Sequence, residues 1–86
     1  MRIKEEMMRD LDLRIPRVLI HGDRGILDNV KTVELLSEES IVVSCGKQNV
    51  SIRGDGLSVT YLEGERMVFE GKIEAVEFYD TRNLHG

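Results

Sequence analysis

The sequence predicts an all-β fold, a small antiparallel meander curled into a sandwich or open barrel, with a short N-terminal amphipathic helix in front of it. Three observations lead there. After Pro16, apolar residues recur at every second position in short runs, the spacing of strands with one buried face. Between the runs stand small clusters of Gly, Asp, Ser and Asn, residues that supply turn conformations. The 86-residue chain allows only one core, because so short a chain has little interior for its surface.

Residues 1–14 are expected to form the helix and a linker. Ile3, Met7 and Leu11 recur every four positions, and Arg2/Glu6 and Glu5/Arg9 place opposite charges one helical turn apart. Leu11, Leu13 and Ile15 then alternate with charged residues, and Pro16 disfavours helix at its predecessor, so the helix should end near Asp12. About three turns of helix are marginal alone and need a surface to lie on.

A single β domain is expected over residues 15–80, followed by a polar tail at 81–86. Its apolar alternations are Val18/Ile20, Val33/Leu35, Ile41/Val43/Cys45, Val50/Ile52, Leu57/Val59/Tyr61, Met67/Phe69 and Ile73/Val76/Phe78. The three-residue step in the last run predicts a bulge at Glu74-Ala75. Turns are expected at His21-Gly22-Asp23, Ser37-Glu38-Glu39, Gly46-Lys47-Gln48-Asn49, Gly54-Asp55-Gly56 and Glu63-Gly64. Connections this short make the strands antiparallel, with Ser44, Ser51, Ser58 and Glu70 facing outward. Asp23 to Lys31 is the least regular stretch and reads as a strand or a crossing loop. The phrases "NVSIRGDGLSVTYL" and "RMVFEGKIEAVEF" echo one another, but Gly22, Gly54 and Gly71 lie 32 and 17 residues apart, which fits repeated hairpins better than solenoid coils.

Composition narrows the function classes. The only aromatics are Tyr61, Phe69, Phe78 and Tyr79, so the core must be aliphatic and no platform exists for stacking bases. Residues 1–17 carry a net +1, and the rest of the −4 chain therefore carries −5, which argues against a nucleic-acid partner. A lone cysteine, Cys45, forms no intramolecular disulfide and points to a reducing compartment, by default the cytoplasm. Acidic residues interrupt the N-terminal segment where a signal peptide needs an apolar stretch, and no run approaches the ~20 apolar residues of a membrane span.

Cys45 closes an apolar alternation, the position of a small buried hydrophobe and not of an activated thiolate. His21 and Asp23 have a metal-like spacing, but too few further ligands exist, so turn chemistry is the expected use of "HGD" and no metal or cofactor is expected. The glutamates Glu63/Glu65 and Glu74/Glu77 alternate with core residues and should face water, and no enzymatic activity is expected. "RGD" at Arg53-Gly54-Asp55 is a chance match to an adhesion motif inside an expected tight turn. Two kinds of surface remain. The helix stripe Ile3, Met7, Leu11 and the expected terminal strand with Ile73, Val76 and Phe78 are candidate partner-binding residues. As an alternative, His21, Asp23, Arg53 and Asp55 could line a polar pocket of a small ligand-binding barrel or enzyme accessory domain.

From Val50 onward, "VSIRGDGLSVTYLEGERMVFEGKIEAVEF" resembles the YabP/YqfC family of sporulation proteins. That family has a strand ending in an isoleucine-x-glycine turn, here Ile52 to Gly54, then an alternating strand, here Leu57 to Leu62. A charged loop follows at Glu63 to Arg66, and a closing segment at Glu70-Gly71-Lys72-Ile73 through Phe78. "IPRVLIHGD" and "RGILDN" are similar to its upstream part, so the resemblance spans about residues 15 to 79. It implies a protein of spore maturation on the mother-cell side, with no established enzymatic activity and with membrane-protein partners. Together with the open edges of a meander and the lack of a long apolar run, the expectation is a non-catalytic interaction module, a homo-oligomer or a companion of a membrane-protein partner, without membrane insertion of its own.

Overall fold

The computed structural model describes residues 16–80. Six strands are present: β1 (Arg17–His21), β2 (Arg24–Asp28), β3 (Thr32–Leu36), β4 (Ser40–Ser44), β5 (Gln48–Glu63) and β6 (Arg66–Asp80). The short strands are bounded by turn residues, and in β2 and β4 burial alternates from residue to residue, as strands with one buried face require. All pairings are antiparallel, in one open sheet of order β1-β2-β6-β5-β4-β3. The all-β expectation is borne out, and the irregular stretch after Asp23 contains β2. The expected N-terminal helix and C-terminal tail lie outside the described residues.

Two expectations are corrected. A simple meander would set β2 beside β3, whereas β2 pairs with β6. And Gly54-Asp55-Gly56 is not a turn between two strands, because β5 runs through it without interruption. Both differences have one origin, a sharp bend in the long β5–β6 hairpin. A straight strand of this length would span roughly 50 Å at ~3.3 Å per residue. Yet consecutive residues of the β2–β3 link reach both of its ends: Val30 N–H donates to Glu65 O at 2.9 Å, in the β5–β6 turn, and Lys31 N–H donates to Ser44 O at 2.8 Å, opposite Asn49 at the start of β5. The hairpin therefore doubles back on itself.

Glycine makes the bend possible. A Cβ on Gly54 would collide with the Lys72 carbonyl, and one on Gly71 would sit 2.7 Å from Gly56 O, with φ of 133° at Gly71 and 67° at Gly56, values L-residues rarely adopt. Bulges accompany it, at Glu74 on β6 and between Asp55 and Ser58 on β5; the first is the bulge that the spacing of Ile73, Val76 and Phe78 predicts. The backbone groups freed there are taken up by the short hairpins. The β3–β4 turn accepts Gly54 N–H at Glu39 O (3.1 Å) and Leu57 N–H at Glu38 O (2.8 Å), and the β1–β2 turn accepts Gly71 N–H at Asp23 O (2.9 Å).

The bend turns the inner faces of the two halves toward one core. Leu27, Met67 and Phe69 come from one half and Ile41, Val43, Val50 and Ile52 from the other, joined by Leu57, Val30 and Cys45. Cys45 is fully buried, as its place in the alternation implies. Gly25 lies under the ring of Phe69, its cross-strand partner, which fills the space a side chain would need.

Candidate functional site

The candidate residues fall into three groups in the structure. Of the partner-binding set, Ile3, Met7 and Leu11 lie outside the described residues. Ile73 and Val76 pack against the core, and Phe78 is 49% exposed. They are on β6, which is not a terminal strand: it stands between β2 and β5. β6 as a whole is not outermost because its first half returns to pair with the first hairpin. Beyond Glu70, however, β2 has ended and the ladder of β6 continues with β5 alone, so among the described residues the second half of β6 has one open edge.

The quartet His21, Asp23, Arg53 and Asp55 is brought to the region of the bend, since Asp23 O binds Gly71 N–H and Asp55 pairs with Lys72. It is not gathered into one pocket. Arg53 lines an open groove of about 480 Å³ with Glu39, Gly54, Glu74 and Ala75, and its guanidinium stands 3.6 Å from Glu77. His21 lines a different, apolar groove of about 370 Å³ with Leu19, Ile20, Arg24 and Ile26. Among the described residues no group of His, Cys, Asp and Glu converges as metal ligands.

The titratable groups add little chemistry of their own. Burial pushes the Cys45 thiol up, against a smaller opposing pull from Lys31, the setting of an unreactive thiol. The hydrogen bond from Arg66 holds the Asp28 carboxyl below its usual range, with partial burial opposing, and the same bond raises Arg66. That pair is bidentate, at 2.6 Å and 3.2 Å. Tyr61 O–H donates to Glu63 at 2.6 Å, which raises the phenol. Glu65 is engaged by Lys31 at 2.6 Å. Asp28 and Glu65 thus act as partners of exposed cations, and Glu63 as the acceptor of the Tyr61 hydroxyl.

The main surface features are backbone edges and the apolar side chains beside them. β1 and β3 are the outermost strands of the sheet, and both carry exposed apolar residues: Leu19 and Ile20 on β1, Leu35 and Leu36 on β3. An outer strand presents unpaired N–H and C=O groups along one side, the basis of strand addition. A simple meander would leave β1 but not β3 at an edge; β3 becomes one through the crossing of β2 to β6. No helix of the described residues is long and apolar enough to cross a membrane.

Neither the curated proteins nor the solved structures contain a match to this chain. A family model described as the YabP family matches residues 12–85, which covers all six strands and most of the sequence. The chain belongs to the YabP family, a family of sporulation-associated proteins.

Proposed function

We propose that this protein is a non-catalytic assembly module of spore maturation, which associates with itself or docks to a membrane-protein partner on the mother-cell side. Family membership supports the sporulation setting. The observation that supports assembly is the pair of outer strands, β1 and β3, each with exposed apolar side chains next to an open edge. A partner strand laid along either edge would satisfy its backbone groups and cover those side chains. The β3 edge also carries a bulge between Val33 and Leu35, the kind of irregularity that limits indiscriminate pairing.

The test is retrieval of the tagged full-length chain from sporulating cells, together with the size of the purified protein. A defined membrane-protein companion is expected, retained by wild type and weakened by Leu35→Lys, a charge that guards an edge. Retrieval of the chain by itself, combined with a monomeric purified protein, would sink the proposal. The ligand-binding alternative around His21, Asp23, Arg53 and Asp55 finds no support in a shared groove.

A further inference from the structure

One face of the sheet has a pattern that the edges do not explain. In the half built from β1, β2, the first part of β6 and the second part of β5, residues alternate between the core and the outside. Leu27, Met67 and Phe69 point inward and are fully buried, so Ile26 and Val68 point outward. The register then aligns Leu19 with Ile26, Ile26 with Val68 and Val68 with Tyr61. These four residues form an apolar row across four strands on the outer face. Leu19 is 64% and Tyr61 46% exposed at its two ends. Leu19 and Ile26 form the wall shared by two grooves, of about 370 Å³ and 220 Å³. The matching outer row of the other half reads Leu35, Val42, Ser51, Glu77 and turns polar midway.

Charged rows border the apolar one. On one side the register gives Arg17, Asp28, Arg66, Glu63, and on the other His21, Arg24, Glu70, Ser58. Asp28–Arg66 and Arg24–Glu70 are ion pairs within them. Three cations and three anions leave this face neutral on a chain of net charge −4, so the face offers neither anionic lipid nor nucleic acid a net attraction.

We infer that this face binds the same face of a second copy of the chain. A face-to-face dimer has its two-fold axis in the plane of contact. With the axis along the apolar row, Asp28 meets the other copy's Arg24 and Arg66 meets its Glu70. With the axis along the strands, Arg17 meets Glu63, Asp28 meets Arg66 and Arg24 meets Glu70. Either choice stacks the apolar rows and sets unlike charges opposite one another, and neither opposes like charges. Such self-complementarity is what an isologous contact requires. Four strands at ~4.8 Å make a patch roughly 20 Å wide, small beside a standard interface, so the dimer is expected to be weak, with Kd in the range of ~10–100 µM.

This deepens the self-association part of the proposed function and rests on it. The test is sedimentation equilibrium of the full-length chain from ~5 to ~200 µM, with circular dichroism to verify the fold of each variant. Wild type should dimerise, and Leu19→Glu and Tyr61→Ser should each weaken dimerisation by at least ~10-fold, as loss of a well-packed apolar contact does. Both side chains are exposed at the surface, so at least one variant should fold. Val42→Glu, at the matching outward position of the other half and on a strand paired along both sides, should leave dimerisation unchanged. A wild-type monomer throughout the range overturns the inference, as does equal weakening by Val42→Glu. If residues 1–15 cover the face instead, wild type will be monomeric and Leu19→Glu will lower Tm without changing mass, which also overturns it. A monomer that still brings down its membrane-protein companion from cells overturns the face pairing and leaves the assembly proposal standing.

Discussion

Glycines decide where this chain turns back, and their effects can be ranked from local geometry. At Gly54 a new Cβ would run into the Lys72 carbonyl, and at Gly71 it would crowd Gly56 O at positive φ; at Gly22, φ is 66° but the surrounding space is open. Gly54→Ala and Gly71→Ala should therefore each cost more than about 2 kcal/mol, and Gly22→Ala about 1 kcal/mol, the strain of the left-handed conformation by itself. Urea denaturation of the three variants checks the order. Equal stability of Gly54→Ala and wild type would remove the bend as described.

Two side chains give sharper residue-level expectations. The folded carboxyl of Asp28 titrates below its unfolded value of about 3.9, so its contribution is present above that pH and fades as the pH falls through the folded value. The pair is partly exposed, so Asp28→Asn should cost only about 0.5–1 kcal/mol near neutral pH, with the difference from wild type shrinking as the pH falls below the unfolded value and through the folded one. Cys45 is fully buried with its thiol pushed up. A thiol reagent at mildly alkaline pH should label it only at the rate of unfolding, and fast labelling of the native protein would contradict its place in the core.

At the scale of elements, the β2–β6 pairing rests on an unusual cross-strand pair, Gly25 beneath Phe69. Phe69→Ala should cost about 3–5 kcal/mol as a buried aromatic is lost. Gly25→Ala should be destabilising in wild type, because its methyl meets the ring. In a Phe69→Ala background it should be close to neutral, since the cavity accepts the methyl. A double-mutant cycle on chemical denaturation measures this coupling, and additive effects would mean that the ring does not occupy the glycine's space. β5 and β6 themselves were only half legible as elements. Their alternations Val50/Ile52, Leu57/Val59/Tyr61, Met67/Phe69 and Ile73/Val76/Phe78 read as four short strands, because glycine and a break in period usually mark a turn. Here they mark bulges and a bend inside two long strands, which local sequence does not distinguish from a hairpin.

For the whole molecule, the bend makes two four-stranded halves share one core, with the β2–β3 link tied to both ends of the long hairpin. Unfolding should then be a single transition. Amides of Val50 and Phe69, in different halves, should have the same upper limit of hydrogen-exchange protection, and a large gap between them would show that one half opens independently.

Several features were legible in the chain alone: the all-β class, the turns at Gly22-Asp23, Glu38-Glu39, Gly46-Lys47 and Gly64, the Glu74 bulge, the burial of Cys45 and the family. Each depends on neighbouring residues or on their pattern along the chain. Strand order, the placing of β3 at an edge, the bend at Gly54 and Gly71, and the outer row from Leu19 to Tyr61 depend on pairings between residues distant in sequence. Leu19, Ile26, Val68 and Tyr61 belong to four different strands, and none of their local alternations says which will lie beside which. Backbone hydrogen bonding across the sheet settles that, so the candidate contact surface became visible only with the tertiary register.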